Sequence, residues 1–279
     1  MPDIIVIGGG PGGTAAATRA AQLGASVALI EKAELGGNCV NRNCIPLSAM
    51  LGSLELFLRI QQAEEMGIKV GPAELDPAAM TARAQQVSGD LREGLSALLP
   101  TFGIEIVEGE AKLSGPKKVT VNDQTMEADR AVILATGARW ATPPAGIEPD
   151  TIWWPHDAIG LDSIPGRLLI WGGEAIELEF AQLFAHLGSA VTVVIDGPHP
   201  LPEEDYEVGQ RLQDKLQSQG VTVMTNTKVK AASRSGEVVK VTLETRTGAS
   251  ELETERLLWA GRTPNSKGLG LAELGVTLK

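Results

Sequence analysis

Only two cysteines occur in the chain of 279 residues, Cys39 and Cys44, five positions apart in "GGNCVNRNCIP" (36–46). Two isolated cysteines do not build the disulfide framework of a small secreted domain. A structural zinc site takes about four ligands, and the three histidines, His156, His186 and His199, lie far along the sequence, so no metal is expected. Two readings remain. The cysteines are a redox pair, in which a thiolate attacks a disulfide and the second thiol resolves the product, or they are buried and inert. Cys44 stands where a helical pattern begins, and a helix N-terminus lowers a thiol pKa.

Two glycine-bearing loops carry the other candidate chemistry. In the first, Gly8, Gly10 and Gly13 spell G-x-G-x-x-G between an apolar run and an alanine-rich helical pattern. The first glycine makes a tight turn, the second lets the backbone approach a pyrophosphate at the helix N-terminus, and the third allows close helix–strand packing. Glu31 ends the next apolar run and is placed to accept hydrogen bonds from ribose hydroxyls. In the second loop, "LLIWGGEAIELEFA" (168–181), Gly172 holds the first position, but Glu174 and Glu177 stand at the second and third. A Cβ at the second position keeps the backbone away from phosphates. One carboxylate–phosphate pair at ~5 Å with an effective dielectric near 20 adds roughly 3 kcal/mol of repulsion, about two decades of affinity. Glu177 forces helix and strand apart unless its side chain points outward. Asp196, ending the following apolar run, suits a 2′-hydroxyl, and no nearby arginine suits a 2′-phosphate. Either the loop has lost its dinucleotide, or it shifts and binds weakly.

The elements that must position these residues are legible as alternating patterns. Residues 3–7, "DIIVI", and "SVALIE" read as buried parallel strands around a helix that ends near Gly24. Helical patterns cover 46–66 and roughly 77–99, "GIEIVEGEAKL" and "KVTVN" alternate like hairpin strands, and "RAVILATG" is a further buried strand. The proline-rich stretch 140–150 reads as a linker. A second strand–helix–strand unit follows, then a helix near 204–219 and strands at 221–230, 237–245 and 251–259. The expected fold class is α/β: two tandem Rossmann-like dinucleotide-binding domains, with parallel sheets flanked by helices on both faces and a small antiparallel β-meander.

The stretch 36–46 resembles the motif G-G-T-C-x-N-x-G-C-[IV]-P of the class I pyridine nucleotide–disulfide oxidoreductases, and "NRNCIP" is most similar to the dihydrolipoamide dehydrogenase branch. "ILATG" (133–137), the proline linker, the second strand–helix unit and "AGRTPN" (260–265) follow in the family's order, so the resemblance covers nearly the whole chain. It implies FAD bound by residues 1–145, through Gly8, Gly10, Gly13, Glu31, the backbone of Ala111 and the Thr136–Gly137 turn. It implies an NAD-type domain at 146–265, with contacts at Gly172, Asp196, Val229 and Gly261, and the start of a return into the first domain at 266–279. Electrons are expected to pass between NAD(H), FAD and the Cys39–Cys44 disulfide. Cys44 is then the thiol nearest the flavin and Cys39 the one that exchanges with a substrate such as lipoamide.

The sequence departs from that pattern in several places. Asn38 and Asn43 replace a threonine and a glycine; asparagine tolerates the left-handed backbone expected at the latter. The family lysine after "CIP" and its serine is missing, because "CIP" runs into Leu47 and Ser48. Its glutamate partner remains as Glu179, expected to be buried, unpaired and raised in pKa. Trp171 directly precedes Gly172 and stands where it would block the nicotinamide side. The family's interface domain, with its His–Glu pair, has no counterpart after "GLGLAELGV", so a truncated or degenerate relative is expected, as a monomer or weak oligomer. A net charge of −11 without a basic cluster argues against a nucleic-acid partner. With no cationic leader and no apolar run of roughly 18 residues, a cytoplasmic protein without a membrane span is expected. The rival readings are a flavin- or nucleotide-binding module without turnover, and a relative of glutathione or mercuric reductase; the latter normally carries a C-terminal cysteine pair that this sequence lacks.

Overall fold

The computed structural model describes residues 1–161 and 164–278. By contacts the chain divides into two compact units. The first comprises Met1–Pro46, Ala84–Arg139 and the segment from Thr263 onward; the second comprises Leu47–Arg83 and Trp140–Arg262. This division differs from the expected one chiefly in giving 47–83 to the second unit. Helical periodicity reveals that a segment has an apolar face but not what that face packs on.

In the first unit, β1 (Ile4–Ile7), β2 (Val27–Glu31), β3 (Ile104–Glu108) and β7 (Ala131–Leu134) form a parallel sheet in the order β3-β2-β1-β7. α1 (Pro11–Gln22) links β1 to β2. It opens with proline at its first position, continues through alanines, and stops before Gly24, whose φ of 85° no β-carbon residue adopts readily. The β1 side chains alternate. Val6 packs with Ala17 and Ala20 of α1, whereas Ile5 and Ile7 pack with Ala111, Leu113, Val119 and Val121. Those four belong to an antiparallel meander of β4 (Ala111–Gly115), β5 (Lys118–Val121) and β6 (Gln124–Glu127). One face of this sheet therefore packs with helix and the other with the meander, where helices were expected on both. "GIEIVEGEAKL" is also not a hairpin arm: Ile104–Glu108 pairs in parallel with β2, and only the portion from Ala111 joins the meander. Alternation fits either partner equally well.

α2 (Gly37–Arg42) carries Cys39, and α3 (Cys44–Gln61) starts at Cys44, two residues earlier than expected. Gly37–Gln61 is long and apolar enough to cross a membrane by length and composition. No unbroken apolar run marks this segment, because Arg42, Glu55 and Arg59 and the polar Ser48 and Ser53 interrupt it. The core helix of a globular domain meets the same criterion. α4 (Pro77–Thr101) precedes β3.

The second unit repeats the plan. After the short strands β8 (Ala138–Trp140) and β9 (Ile152–Trp153) and the turn of helix α5 (Pro155–Ala158) come β10 (Arg167–Trp171), α6 (Ala175–His186) and β11 (Ala190–Val194). α7 (Tyr206–Ser218) leads to β12 (Thr222–Met224). The sheet order is β12-β11-β10-β16-β9, all parallel, with β16 at Arg256–Trp259. A second meander, β13 (Lys228–Ser235), β14 (Val238–Thr245) and β15 (Gly248–Thr254), packs Ala232, Val239, Val241 and Leu243 with Leu169, Val194 and Leu257 of the sheet. The expected strands 221–230 and 251–259 each divide in two, between the parallel sheet and the meander. β17 (Arg262–Pro264) lies where the chain returns to the first unit.

Gly13 shows how tightly β1 and α1 are joined. A β-carbon there would overlap the Gly8 carbonyl oxygen, whereas one at Gly12 meets nothing within 4 Å. Gly13→Ala is therefore expected to cost about 1–3 kcal/mol, the usual range for overpacking, while Gly12→Ala is expected to be neutral or stabilising. Thermal melts of the two variants check this; equal melting temperatures would contradict the packing argument.

Candidate active site and nucleotide loops

The two cysteines stand at the junction of α2 and α3, both as free thiols, Cys39 half-buried and Cys44 exposed. Burial first, then the neighbouring Cys44 thiol, push the Cys39 thiol up to about 11. The exposure runs opposite to what a substrate-facing Cys39 would suggest. Between them Asn43 breaks the helix with φ −138° and ψ −90°. The left-handed backbone expected for this position is not what the structure holds, so asparagine's tolerance of it is not needed. The Asn43 side chain is 6% exposed, and its Oδ1 has no hydrogen-bond partner. Asn38 donates through Nδ2 to the Ala138 carbonyl (2.6 Å).

The first glycine loop meets the steric demands read from its sequence. Gly8 has φ 106°, and a β-carbon there would overlap the Ala135 carbonyl; a β-carbon at Gly10 would meet only Gly37 Cα at 3.9 Å, leaving the helix N-terminus open. Glu31 Oε2 accepts from the Gly9 N–H (2.6 Å) and Oε1 from that of Ala33 (2.9 Å). Each carboxylate oxygen keeps a lone pair for another donor. Gly8, Glu31, Ala111 and Thr136 line one cavity of about 260 Å³ together with Asn265 and Lys267. The Thr136–Gly137 turn is held by Asn265: Thr136 Oγ1 donates to its carbonyl (2.8 Å), its Nδ2 donates to the Thr136 carbonyl (2.9 Å), and its N–H to that of Gly137 (2.9 Å). A glycine cradle open at a helix N-terminus, an oriented carboxylate and a cavity beside both fit the adenosine and pyrophosphate of a dinucleotide.

The second loop is filled by its own side chain. Gly172 turns with φ 136°, and a β-carbon there would lie 2.8 Å from Glu177 Oε1. Glu177 is 4% exposed, so its carboxylate points inward, into the turn, contrary to the outward orientation that would have relieved the helix–strand packing. Oε2 has no hydrogen-bond partner. Burial raises the Glu177 pKa, the neighbouring Glu174 adds to the shift, and the N–H groups of Glu177 and Ala260 and the charge of Arg262 oppose it. Glu174 caps α6 with extended backbone and is exposed. Asp196 follows β11 and is exposed, with Lys228 Nζ 3.7 Å from its carboxylate. Val229 lies in β13, half-buried against the unit's core. Gly261 has room for no β-carbon because the Trp259 indole fills that space. Trp171 and Trp259, at the ends of adjacent strands, stack with ring centroids 4.9 Å apart.

A family model described as pyridine nucleotide-disulphide oxidoreductase matches residues 2–279. The chain belongs to this family. A dihydrolipoyl dehydrogenase of Thermus scotoductus is 38% identical over 279 residues, spanning 98% of this chain and 60% of the relative. A leghemoglobin reductase of Vigna unguiculata is 37% identical, spanning 98% and 54%. Among solved structures, LpdA of Mycobacterium tuberculosis superposes with a TM-score of 0.85 at 28% identity, covering 99% of this chain and 62% of that one. The chain thus spans about 60% of the length of such relatives.

Against the family's pattern, the lysine position is held by Ser48, which is exposed, and the serine position before it by Leu47, which is 1% exposed. Glu179 is half-buried rather than buried, and burial raises its pKa, the direction expected for an unpaired carboxylate. Asn265 and Lys267 were not singled out in the sequence. The signal for Asn265 was its place in "AGRTPN": an asparagine amide has donors and an acceptor that can clamp a turn. Lys267 carried no signal, since a lone lysine after a turn is usually solvated. Among the described residues no cluster of three or more His, Cys, Asp or Glu is grouped to hold a metal ion.

Proposed function

We propose that this chain carries out dithiol–disulfide exchange at Cys39–Cys44 next to bound FAD, in the manner of a dihydrolipoamide dehydrogenase, and that its use of NADH is weakened. The observation that carries the reading is the placement of the two thiols at the α2–α3 junction, in the same unit as the glycine cradle. Gly8 makes the tight turn and Gly10 leaves room for the pyrophosphate, the α1 N-terminus favours its charge, and Glu31 and the clamped Thr136–Gly137 turn border the nucleoside cavity. FAD, when bound, supplies a two-electron carrier beside the dithiol. As a thiolate, Cys39 Sγ attacks one sulfur of a disulfide such as lipoamide, forming a mixed disulfide and releasing one substrate thiolate. Cys44 Sγ then attacks Cys39 Sγ, closing the Cys39–Cys44 disulfide and releasing the second substrate thiol. A cytoplasmic setting, with a dithiol partner rather than nucleic acid or a membrane, suits this chemistry.

Because the Cys39 thiol is held at about 11, its thiolate fraction, and its alkylation rate with iodoacetamide, are expected to rise about tenfold per pH unit between pH 7 and 10. Peptide mass mapping of Cys39 checks this; a rate that levels off below pH 9 would contradict it. The reading as a whole is tested by anaerobic titration of the FAD-loaded protein, first with NADH and then with dihydrolipoamide. Reduction by the dithiol with little response to NADH is the expected result. Bleaching by stoichiometric NADH overturns the weakened half, and indifference to both overturns the exchange reading in favour of a binding module.

A further inference from the structure

We propose that the second unit carries a tryptophan relay, which passes an electron hole from Trp171 through Trp259 and Trp154 to Trp140 and fixes it there by proton loss to His156. The relay lies wholly within that unit and does not depend on whether either glycine loop holds a nucleotide. Its geometry follows from strand register. Trp171 closes β10 and Trp259 closes β16, directly opposite each other. Trp153 of β9 pairs with Leu258, which puts Trp154 at the level of Trp259. Neighbouring strands lie about 4.8 Å apart, so rings at one level on one face meet. The ring centroids of Trp171 and Trp259 are 4.9 Å apart, those of Trp259 and Trp154 5.8 Å, and those of Trp154 and Trp140, at the end of β8, 5.9 Å. All four indoles are half-buried, and Trp154, Trp171 and Trp259 pack against the unit's core.

Packing alone accounts for rings at these separations, but it does not call for the last contact. Trp140 Nε1 donates to His156 Nδ1 (2.8 Å), with 7° between the ring planes. An indole N–H only donates, so Nδ1 is the acceptor and the imidazole proton sits on Nε2, 3.5 Å from the Asp157 carboxylate. Of the four indoles, only that of Trp140 has an acceptor for its N–H among the described residues. Indole gives up an electron more readily than the aliphatic side chains around it, and its radical cation is a far stronger acid than indole itself. A radical oxidant takes one electron from Trp171 and becomes an anion. Trp259 then refills Trp171, Trp154 refills Trp259, and Trp140 refills Trp154. The Trp140 radical cation releases its Nε1 proton across the hydrogen bond, leaving a neutral radical and an imidazolium beside Asp157. That proton transfer makes Trp140 the sink. A small thiol returns a hydrogen atom to Trp140, becoming a thiyl radical, and the imidazolium gives its proton to water.

Pulse radiolysis of the full chain with azide radicals, followed without added thiol by peptide mass mapping of oxidised tryptophan, tests this. Trp153, half-buried but packed on Phe184 instead, measures direct attack. Damage at Trp140 is expected to exceed that at Trp153 and at Trp171 by about tenfold or more, the preference that a hydrogen bond to a charged group confers. Transient absorption is expected to show the neutral radical replacing the radical cation. Trp154→Phe keeps an aromatic ring but breaks the relay, and should move the damage to Trp171 and Trp259. His156→Phe, a change at an exposed side chain, should prolong the radical cation and spread damage over all four indoles. Damage at Trp140 no greater than at Trp153, or unchanged in Trp154→Phe, would show direct attack and overturn the relay. An undiminished excess at Trp140 in His156→Phe would overturn the proton sink, and with it the direction of transfer, whether or not Trp154→Phe folds.

Discussion

Replacing Cys44 by serine is expected to abolish reduction of the FAD-loaded protein by dihydrolipoamide, lowering the rate at least about a thousandfold, the scale seen when an enzyme loses its nucleophile. Serine is close to cysteine in size but supplies no sulfur to resolve a mixed disulfide. Cys39 still attacks one substrate sulfur, so Cys44→Ser should accumulate a covalent adduct at Cys39, visible by mass spectrometry after reaction with a disulfide substrate. Cys39→Ser should be equally inactive but should form no such adduct if Cys39 is the exchanging thiol. The pair of variants settles a point on which accessibility and family resemblance disagree, since Cys44 is the exposed thiol and Cys39 the half-buried one. Adduct formation on Cys44 in Cys39→Ser, with none on Cys39 in Cys44→Ser, would reverse the two roles. Turnover persisting in either variant would remove the dithiol from the mechanism altogether.

The parts of the fold set by strong local rules were legible in the sequence. The β1–Gly8–α1 turn was, because only glycine meets the steric demands at Gly8 and Gly13, and the repeat of that plan around Gly172 followed from the same apolar-run, glycine, helix pattern. What was not legible depends on partners that periodicity does not name. Ile104–Glu108 alternates as well beside β2 as in a hairpin. The two meanders replaced helices because Leu113 and Val119 in one unit, and Val239 and Val241 in the other, offer the same apolar face a helix would. At the site, residue types were readable but orientations were not. Nothing in "GGEAIELEF" distinguishes a Glu177 that points to solvent from one folded into its own turn, although the two differ completely in what they leave open for a ligand. Asn43 was read for a left-handed backbone that it does not adopt. The clamp by Asn265 spans 129 positions of sequence separation, beyond any local signal.

The double change Glu174→Gly and Glu177→Gly is expected to tighten NADH by about a hundredfold or more, from removal of repulsion worth roughly 3 kcal/mol per charge pair before screening. The two residues act differently. Glu174 is exposed, so its charge is screened by salt and its single replacement should give the smaller gain, diminishing as ionic strength rises. Glu177 fills the turn itself, so its replacement removes a charge and also opens the space beside Gly172. Either carboxylate alone still opposes a pyrophosphate, and the gains are expected to be more than additive, as for neighbouring groups that share one ligand contact. Glu177→Gly, inside α6, costs about 1 kcal/mol in helix stability, partly offset by removing a buried carboxylate with an unpartnered oxygen, whereas Glu174→Gly at the cap position costs little. The fold should therefore survive, which circular dichroism checks alongside the calorimetric NADH titration. A folded double variant whose NADH affinity is unchanged would mean that the carboxylates are not what disables the loop. The obstruction would then lie with the Trp171–Trp259 stack at the strand ends, and Trp171→Val in the double-glycine background would become the decisive variant.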